Sequence, residues 1–307
     1  MDLGVFGNGP SHQKVITVTK CNSNVEMDLH SKTDEIRAGG IASNINGGYY
    51  CPRVGTWTRI FAKLNYCTSD SKIKAISDVD EVYAGGLTGY CATINISYSY
   101  AKGEIEVESN SSYAGGLIGY ITGSFTSGTG DTKGSPSTVS ASYSTGDISC
   151  TDKNNEDSKS YVGGLIGHCT ANVSNTFCIN KISASNINAS SSIGGMIGYM
   201  KYLTSTYPSQ LSNSYSRTTF DLSGTSENIG PTLGSRASTK EKVNSSTYYL
   251  PTNVSANEFG TAISSLDDAR KAASYSFCTS TSSSWGIEEG KSTPYLTKLV
   301  IPEEIYE

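Results

Sequence analysis

The sequence predicts an all-β protein, a right-handed parallel β-helix (β-solenoid) closed by a small C-terminal capping segment that contains one short helix. Two repeated phrases carry this prediction: a glycine-rich phrase, and a serine- and tyrosine-rich phrase that precedes most of its copies. Composition agrees, because 32 glycines, 20 tyrosines and abundant serine and threonine favour short strands and turns over helices.

The glycine-rich phrase has four good copies: YAGGLTGYC at 83–91, YAGGLIGYI at 113–121, YVGGLIGHC at 161–169 and SIGGMIGYM at 192–200. Weaker copies begin at Arg37 and Ile229. The first glycine of each pair falls at 39, 85, 115, 163, 194 and 230, so the spacing is irregular. Constant strands joined by loops of variable length are typical of a solenoid whose coils accept insertions on one side.

Glycine inside an apolar run weakens a strand, so its recurrence needs a structural reason. The positions of Ala84 and Leu87 are apolar in every good copy, although residues three apart point to opposite faces of a flat strand. We therefore predict a bend at each Gly-Gly pair that turns both side chains inward, with glycine supplying dihedral freedom and space. The structural repeat glycines are Gly85, Gly86, Gly89, Gly115, Gly116, Gly119, Gly163, Gly164, Gly167, Gly194, Gly195 and Gly198. A nucleotide-binding glycine loop would need a strand–loop–helix context that this chain lacks.

The second phrase predicts a strand that carries an aromatic residue in each coil. Stacked coils would align these residues into an aromatic ladder of Tyr66, Tyr98, Tyr143, Phe177 and Tyr215. Period-2 apolar faces are usually buried, which favours packing in the core. In the opposite strand phase the same rings would form a stacking platform for sugars.

The paired phrases resemble the GLUG motif family, repeats of bacterial secreted and surface proteins. The matching residues are 86–89, 116–119 and 164–167, with Met196 replacing leucine in 195–198, and SYSTGDI before the third copy resembles the family's lead-in strand. The resemblance implies a β-helical, extracellular protein and no defined reaction. Residues 259–296 resemble a short closing module, so we divide the chain into a solenoid of residues 1–250 and a closing segment of residues 251–307.

Within that closing segment, Ser264 to Tyr275 is the one convincing short helix, which we expect to cap an end of the solenoid.

The eight cysteines are expected to be mostly free thiols. Cys91 and Cys169 share a repeat position with Ile121 and Met200, and Cys67 and Cys178 align with serines of other copies, so cysteine acts as a small or apolar filler. His168 takes a position held by tyrosine in other copies, which suits packing better than catalysis. No cluster of cysteine and histidine predicts a metal, and no cofactor is expected.

Net charge and hydropathy limit the classes of partner that we expect. A net charge of −5 argues against nucleic-acid partners, and no apolar stretch is long enough to insert into a membrane. The N-terminus lacks a signal-peptide pattern, so the native export signal would not be part of this chain. We expect a non-catalytic, secreted or cell-surface adhesin-like module that binds a glycan or an extracellular protein, as a monomer or as part of a longer chain.

The alternative is a carbohydrate-active enzyme, a polysaccharide lyase or hydrolase on a β-helix. It would need clustered carboxylates on one face, and the candidates lie in two loops: Asp78, Asp80, Glu81, Glu156 and Asp157. A face of serine, threonine, asparagine and tyrosine would instead favour binding. Ice binding through threonine rows has only VITVTK at 15–20 to support it.

Overall fold

The computed structural model describes residues 2–4, 15–53, 56–123, 136–153, 158–203, 207–250, 252–255, 257, 259–278 and 284–307, with side chains except at 2–4, 49–53 and 56–59. Its strands stack in four parallel sheets, which we number 1 to 4 in the order in which the chain visits them. After sheet 4 the chain returns to sheet 1 one rung further along. The predicted parallel β-solenoid is therefore confirmed, whereas its right-handedness stays a prediction.

The four sheets contain these strands. Sheet 1 is formed by Asp2–Gly4, Ala42–Asn46, Thr88–Ala92, Ile118–Thr122, Ile166–Cys169, Ile197–Met200 and Leu233–Arg236. Sheet 2 is formed by Thr17–Thr19, Ala62–Asn65, Ile94–Ser97, Ser137–Ser144, Ala171–Cys178, Ser214–Ser216, Thr247–Tyr249 and Thr261–Ala262, with the shorter strands Asn22–Ser23, Thr68–Ser69, Tyr100–Ala101, Gln210–Ser212 and Lys242–Val243. Sheet 3 is formed by Glu26–Ser31, Lys72–Ser77, Ile105–Ser109, Ile148–Asp152, Lys181–Ile187 and Thr219–Gly224. Sheet 4 is formed by Ile36–Gly39, Glu81–Gly85, Ser111–Gly115, Tyr161–Gly163, Ser192–Gly194 and Asn228–Gly230.

The glycine-rich phrase forms the corner between sheets 4 and 1. Its copies pair in register, so that Gly85, Gly115, Gly163 and Gly194 follow one another along sheet 4. Ala84 and Leu87 are both fully buried, as predicted, but they enter two different cores. Ala84 packs between sheets 3 and 4, and Leu87 packs between sheets 1 and 2.

The repeat glycines allow the backbones of sheets 1 and 4 to touch between these two cores. A Cβ atom on Gly85 would collide with the carbonyl oxygen of Thr88, and one on Gly89 would lie 2.6 Å from the carbonyl oxygen of Tyr83. No larger residue fits at such distances. Because none of the repeat glycines has a positive φ among the described residues, the expected dihedral freedom is not what selects glycine. The requirement is space for a neighbouring backbone.

The irregular spacing of the repeats arises largely at the connection from sheet 1 to sheet 2. One residue separates Ala92 from Ile94 there, whereas after Asn46 the chain forms an antiparallel hairpin of Gly48–Arg53 and Thr56–Ile60. The stretch between Thr122 and Ser137 is also long. Insertions at this corner leave the stacked strands in register.

The aromatic ladder differs from the prediction. Stacked pairing aligns Tyr100, Tyr143, Phe177, Tyr215 and Tyr248, whereas Tyr66 and Tyr98 occupy the column of Ala141, Asn175 and Asn213. Residues of this second column have a positive φ, which interrupts the alternation of faces. Val139 therefore enters the core while Tyr143 points outward, although an uninterrupted alternation would place residues four apart on one face. The same shift separates Cys67, which aligns with Ser99, from Cys178, which aligns with Ser144.

The C-terminal segment closes one end of the solenoid and then covers one side. Asn253 caps the last strand of sheet 3 with its amide, which accepts from the backbone N–H of Phe220 (3.1 Å) and donates to the Phe220 carbonyl (2.5 Å). The chain from Ile263 onward packs on the outward ladder of Tyr143, Phe177 and Tyr215.

The predicted helix is shorter than expected, and it lies on this side rather than at the end. It comprises α1 (Leu266–Ala269) and a separate 3-10 turn at Ala272–Ser274, because Lys271 between them is extended. The segment continues through the hairpin of Trp285–Gly286 and Tyr295–Leu296 to a last 3-10 turn at Glu303–Tyr306.

Candidate functional site

The outer surface of sheet 2 is a flat array of short polar side chains. Alternate residues of each strand point outward here and are half-buried or exposed, while their neighbours fill the core. Some bridge adjacent rungs: the Ser97 hydroxyl donates to Asn65 Oδ1 (2.7 Å), and the Thr138 hydroxyl donates to Asn95 Oδ1 (2.8 Å). We call this surface the polar face; it consists of Thr17, Thr19, Lys63, Asn65, Asn95, Ser97, Thr138, Ser140, Asn172, Ser174, Gln210, Ser212 and Lys242.

Tyr66 and Tyr98 border the polar face as a stacked pair of rings. Their centroids are 5.0 Å apart and their planes differ by 7°. Tyr66 is 45% exposed, and each ring follows directly after a residue of the polar face, Asn65 or Ser97. We call this pair the aromatic edge.

Both tyrosines of the aromatic edge adopt left-handed backbone angles, with φ of 55° at Tyr66 and 50° at Tyr98. A bulky residue is an outlier in this region, where asparagine is several-fold enriched. Two later coils do use asparagine in this column, at Asn175 and Asn213, with φ of 52° and 48°. Backbone strain of this kind tends to persist where function needs the side chain.

The C-terminal segment covers this column at Asn175 and the ladder beside it at Tyr143, and it leaves Tyr66 exposed. The Trp285 indole N–H donates to Asn175 Oδ1 (3.2 Å), and the Tyr143 hydroxyl donates to the Val300 carbonyl (2.9 Å). From this segment Lys298 approaches Tyr98, with Nζ 5.6 Å from the ring centroid. The aromatic edge thus lies beside the margin of the surface that the C-terminal segment covers.

The predicted carboxylates that the structure describes, Asp78, Asp80 and Glu81, each have a hydrogen-bond partner. Asp78 accepts from Lys153 Nζ (2.7 Å) and bonds His30 Nε2 (3.1 Å), and these contacts lower its pKa to about 2. Asp80 accepts from the backbone N–H of Glu81, and Glu81 accepts from the hydroxyl of Tyr83. Glu156 and Asp157 lie outside the described residues.

Carboxylates of sheet 3 also share one outer surface, but lysines alternate with them. Lys72 pairs with Glu104 (3.1 Å) and Lys74 with Glu106 (2.8 Å) between adjacent rungs. A glycosidase needs one carboxylic acid whose pKa is raised, in a site that also holds a free carboxylate. Exposed ion-paired carboxylates do not provide that arrangement.

A second set of rings fills the groove between sheets 4 and 1. It stacks in two columns, Tyr83, Tyr113 and Tyr161 in one and Tyr90, Tyr120, His168 and Tyr199 in the other. Since Tyr83 stacks on Tyr113 at 4.6 Å and Tyr90 on Tyr120 at 5.1 Å, these ring faces are occupied by one another. The predicted packing position of His168 is confirmed, and burial lowers the pKa of its imidazole to about 3.

Most of the described cysteines are buried free thiols, which supports a packing role for them. Cys21, Cys67, Cys91, Cys150, Cys169, Cys178 and Cys278 are free, as expected for most cysteines, and Cys51 lies where side chains are not described. Burial raises the pKa of Cys150, Cys169 and Cys178 to about 12, so these thiols stay protonated and unreactive at neutral pH. Within the described ranges, no three histidine, cysteine or acidic side chains converge as metal ligands. No helix among them is long and apolar enough to cross a bilayer.

No family model, curated protein or solved structure matches this chain. The resemblance to the GLUG motif family therefore rests on the repeated phrases, and the function is argued from the geometry.

Proposed function

We propose that this protein is a non-catalytic, secreted or cell-surface adhesin-like module that binds a glycan along the polar face and the aromatic edge. The observation that carries the proposal is the stacked pair of Tyr66, which is exposed, and Tyr98, which is half-buried; both have the left-handed backbone conformation that two later coils give to asparagine. The exposed ring of Tyr66 and the strained backbone of both residues are not explained by stability alone.

The polar face suits a glycan because it offers donors and acceptors without a deep pocket. Hydroxyl and amide groups repeat at the rung spacing of parallel strands, about 4.8 Å. A rigid solenoid presents such groups at fixed intervals, so an extended chain could bind over several coils with little loss of entropy in the protein. The ring of Tyr66 would contact the apolar face of one sugar at the border.

An extracellular protein is the other ligand class that such a surface could take, and a spacer role would need no ligand. Neither nucleic acid nor membrane insertion belongs to the proposal. Kinship with the GLUG motif family would agree with the extracellular location.

The test is binding of the purified chain to an array of microbial and host glycans, with mucin and matrix proteins included. We expect specific, saturable binding to glycans that Ser140→Glu together with Ser174→Glu abolishes. Ser149→Glu together with Ser183→Glu is the matched control, because these serines lie on the outer surface of sheet 3. Absence of binding to every glycan on the array would contradict the proposal. Release of a shortened glycan product would instead favour the carbohydrate-active enzyme.

A further inference from the structure

We infer that the glycan bound at the aromatic edge is an acidic polysaccharide, one that carries carboxylate or sulfate groups along its chain. This inference rests on the proposed function and adds the charge of the ligand. It is argued from four lysines that surround Tyr66 and Tyr98, although the whole protein has a net charge of −5.

Two of these lysines lie over the rings of neighbouring tyrosines. Lys298 Nζ is 5.6 Å from the ring centroid of Tyr98, and Lys102 Nζ is 5.5 Å from that of Tyr100. An ammonium group held over a ring exchanges part of its hydration for the electron-rich face. It is then positioned to bind an anion on a sugar that contacts the same aromatic surface.

The other two lysines belong to the coil of Tyr66 and to the coil before it. Lys20 precedes Tyr66 in the left-handed column by one rung, with φ of 54°, and Lys63 is an exposed member of the polar face on the same strand as Asn65. The four lysines therefore lie around the aromatic edge: Lys20 on the preceding coil, Lys63 on the polar face, Lys102 beside Tyr100, and Lys298 on the C-terminal segment.

These lysines differ from those of sheet 3. There Lys72, Lys74 and Lys181 form ion pairs with carboxylates of adjacent coils, and Lys153 pairs with Glu108 of the adjacent coil and with Asp78 one coil further on. Around the aromatic edge, none of the four lysines forms an ion pair with a described residue. Two carboxylates, Asp70 and Glu304, lie near enough to interact electrostatically with the hydroxyls of Tyr100 and Tyr143, but neither forms an ion pair with one of these lysines.

This arrangement suits an anionic sugar better than a neutral one. A neutral glycan would gain from the ring and the hydroxyl groups but would leave four positive charges without partners. A uronate or a sulfated sugar would use both, since exposed charges attract each other over about 10 Å at 0.1 M salt. The expected consequence is binding that weakens as salt rises.

The experiment compares polygalacturonate and heparin, which are acidic, with dextran, which is neutral. The test protein is a double variant, Lys63→Gln with Lys298→Gln. The control is Lys159→Gln, because Lys159 is an exposed lysine that lies away from the aromatic edge, before the sheet 4 strand Tyr161–Gly163. We expect the wild-type chain to bind one or both acidic glycans, and the double variant to lose about tenfold in affinity at 50 mM salt. Binding of polygalacturonate would assign carboxylate as the anion, and binding of heparin alone would assign sulfate.

Two results would overturn the inference. Binding of neutral glycans alone, with affinity unchanged in the double variant, would refute the acidic ligand and leave the proposed glycan-binding function intact. Equal, equally lysine-dependent binding of a single-stranded DNA oligonucleotide would show general attraction of polyanions rather than recognition of a sugar. Absence of binding to every glycan would instead refute the proposed function itself.

Discussion

The imidazole of His168 stacks on the ring of Tyr120, with centroids 4.2 Å apart and planes 7° from parallel. The imidazole takes the place of a tyrosine in its column, between Tyr120 and Tyr199. Burial and the nearby charge of Lys201 lower its pKa from 6.5 to about 3. A buried titratable group in a tyrosine column links stability to pH.

We predict that His168→Tyr makes the protein more resistant to acid. The unfolded chain takes up a proton on this histidine near pH 6.5, whereas the folded protein does so only near pH 3. The folded state therefore loses no free energy to this histidine above pH 6.5, where the imidazole is neutral in both states. It becomes progressively less stable relative to the unfolded chain as pH falls from 6.5 towards 3. Urea unfolding at pH 7.5 and pH 4.5 should show a smaller loss for the variant than for the wild type, and equal losses would contradict this role.

Asp152 should have the opposite effect. Its carboxylate is buried and accepts from the hydroxyls of Ser160 and Ser191, and burial raises its pKa to about 6. The folded protein binds the extra proton between about pH 4 and pH 6, so this group destabilises the fold as pH rises through that range. Two pKa units correspond to at most about 3 kcal/mol.

Asp152→Asn should therefore raise the free energy of unfolding at pH 7 and change it little at pH 4. The amide keeps an acceptor for one serine and can donate to the other. The measurement is urea unfolding at both pH values. A variant that is less stable than the wild type at pH 7 would show that the carboxylate is better accommodated as an anion.

Gly119→Ala should test the backbone contact between sheets 1 and 4. The added Cβ would lie 2.6 Å from the carbonyl oxygen of Gly89 and 2.7 Å from that of Tyr113. Since both neighbours are backbone atoms within paired strands, we expect a loss of about 3 kcal/mol in unfolding free energy, or failure to fold. Ser149→Ala on the surface of sheet 3 is the control. A Gly119→Ala protein that is as stable as this control would refute the spatial role of the repeat glycines.

The tyrosines inside and outside the ladder should respond differently to substitution. Tyr143 is fully buried under the C-terminal segment, so Tyr143→Ala should cost about 3–5 kcal/mol of unfolding free energy. Tyr98→Asn should leave stability unchanged or raise it by up to about 1 kcal/mol, because relief of left-handed strain offsets the lost stacking. Thermal and urea unfolding measure both changes, and a large loss in Tyr98→Asn would mean that this ring is structural.

The two repeated phrases predicted the solenoid, and the glycine-rich phrase alone predicted which residues align along sheets 1 and 4. Backbone contact leaves room for glycine alone, and so its position is visible in the sequence at each coil. The alignment of Tyr90, Tyr120, His168 and Tyr199 followed from that register and is confirmed.

The register of the aromatic phrase could not be read in the same way. The stretch 97–100 is Ser-Tyr-Ser-Tyr, so either tyrosine satisfies an alternating pattern. Alignment of this stretch with the other copies of the phrase placed Tyr98 in the ladder, where the structure has Tyr100. The left-handed column that separates them contains lysine, tyrosine, alanine and asparagine, which share no propensity that would mark it. The cover formed by the C-terminal segment depends on contacts across more than a hundred residues, such as Trp285 with Asn175.

The most direct test of the account is a calorimetric titration of the best-bound glycan with the wild-type chain, Tyr66→Asn and Tyr66→Phe. Asparagine occupies this column in two later coils, at Asn175 and Asn213, so Tyr66→Asn removes the ring without opposing the backbone conformation. We predict that Tyr66→Phe binds within about threefold of the wild type and that Tyr66→Asn loses about tenfold or more, near 1.4 kcal/mol. Wild-type affinity in Tyr66→Asn would contradict the assignment of the aromatic edge as the binding surface.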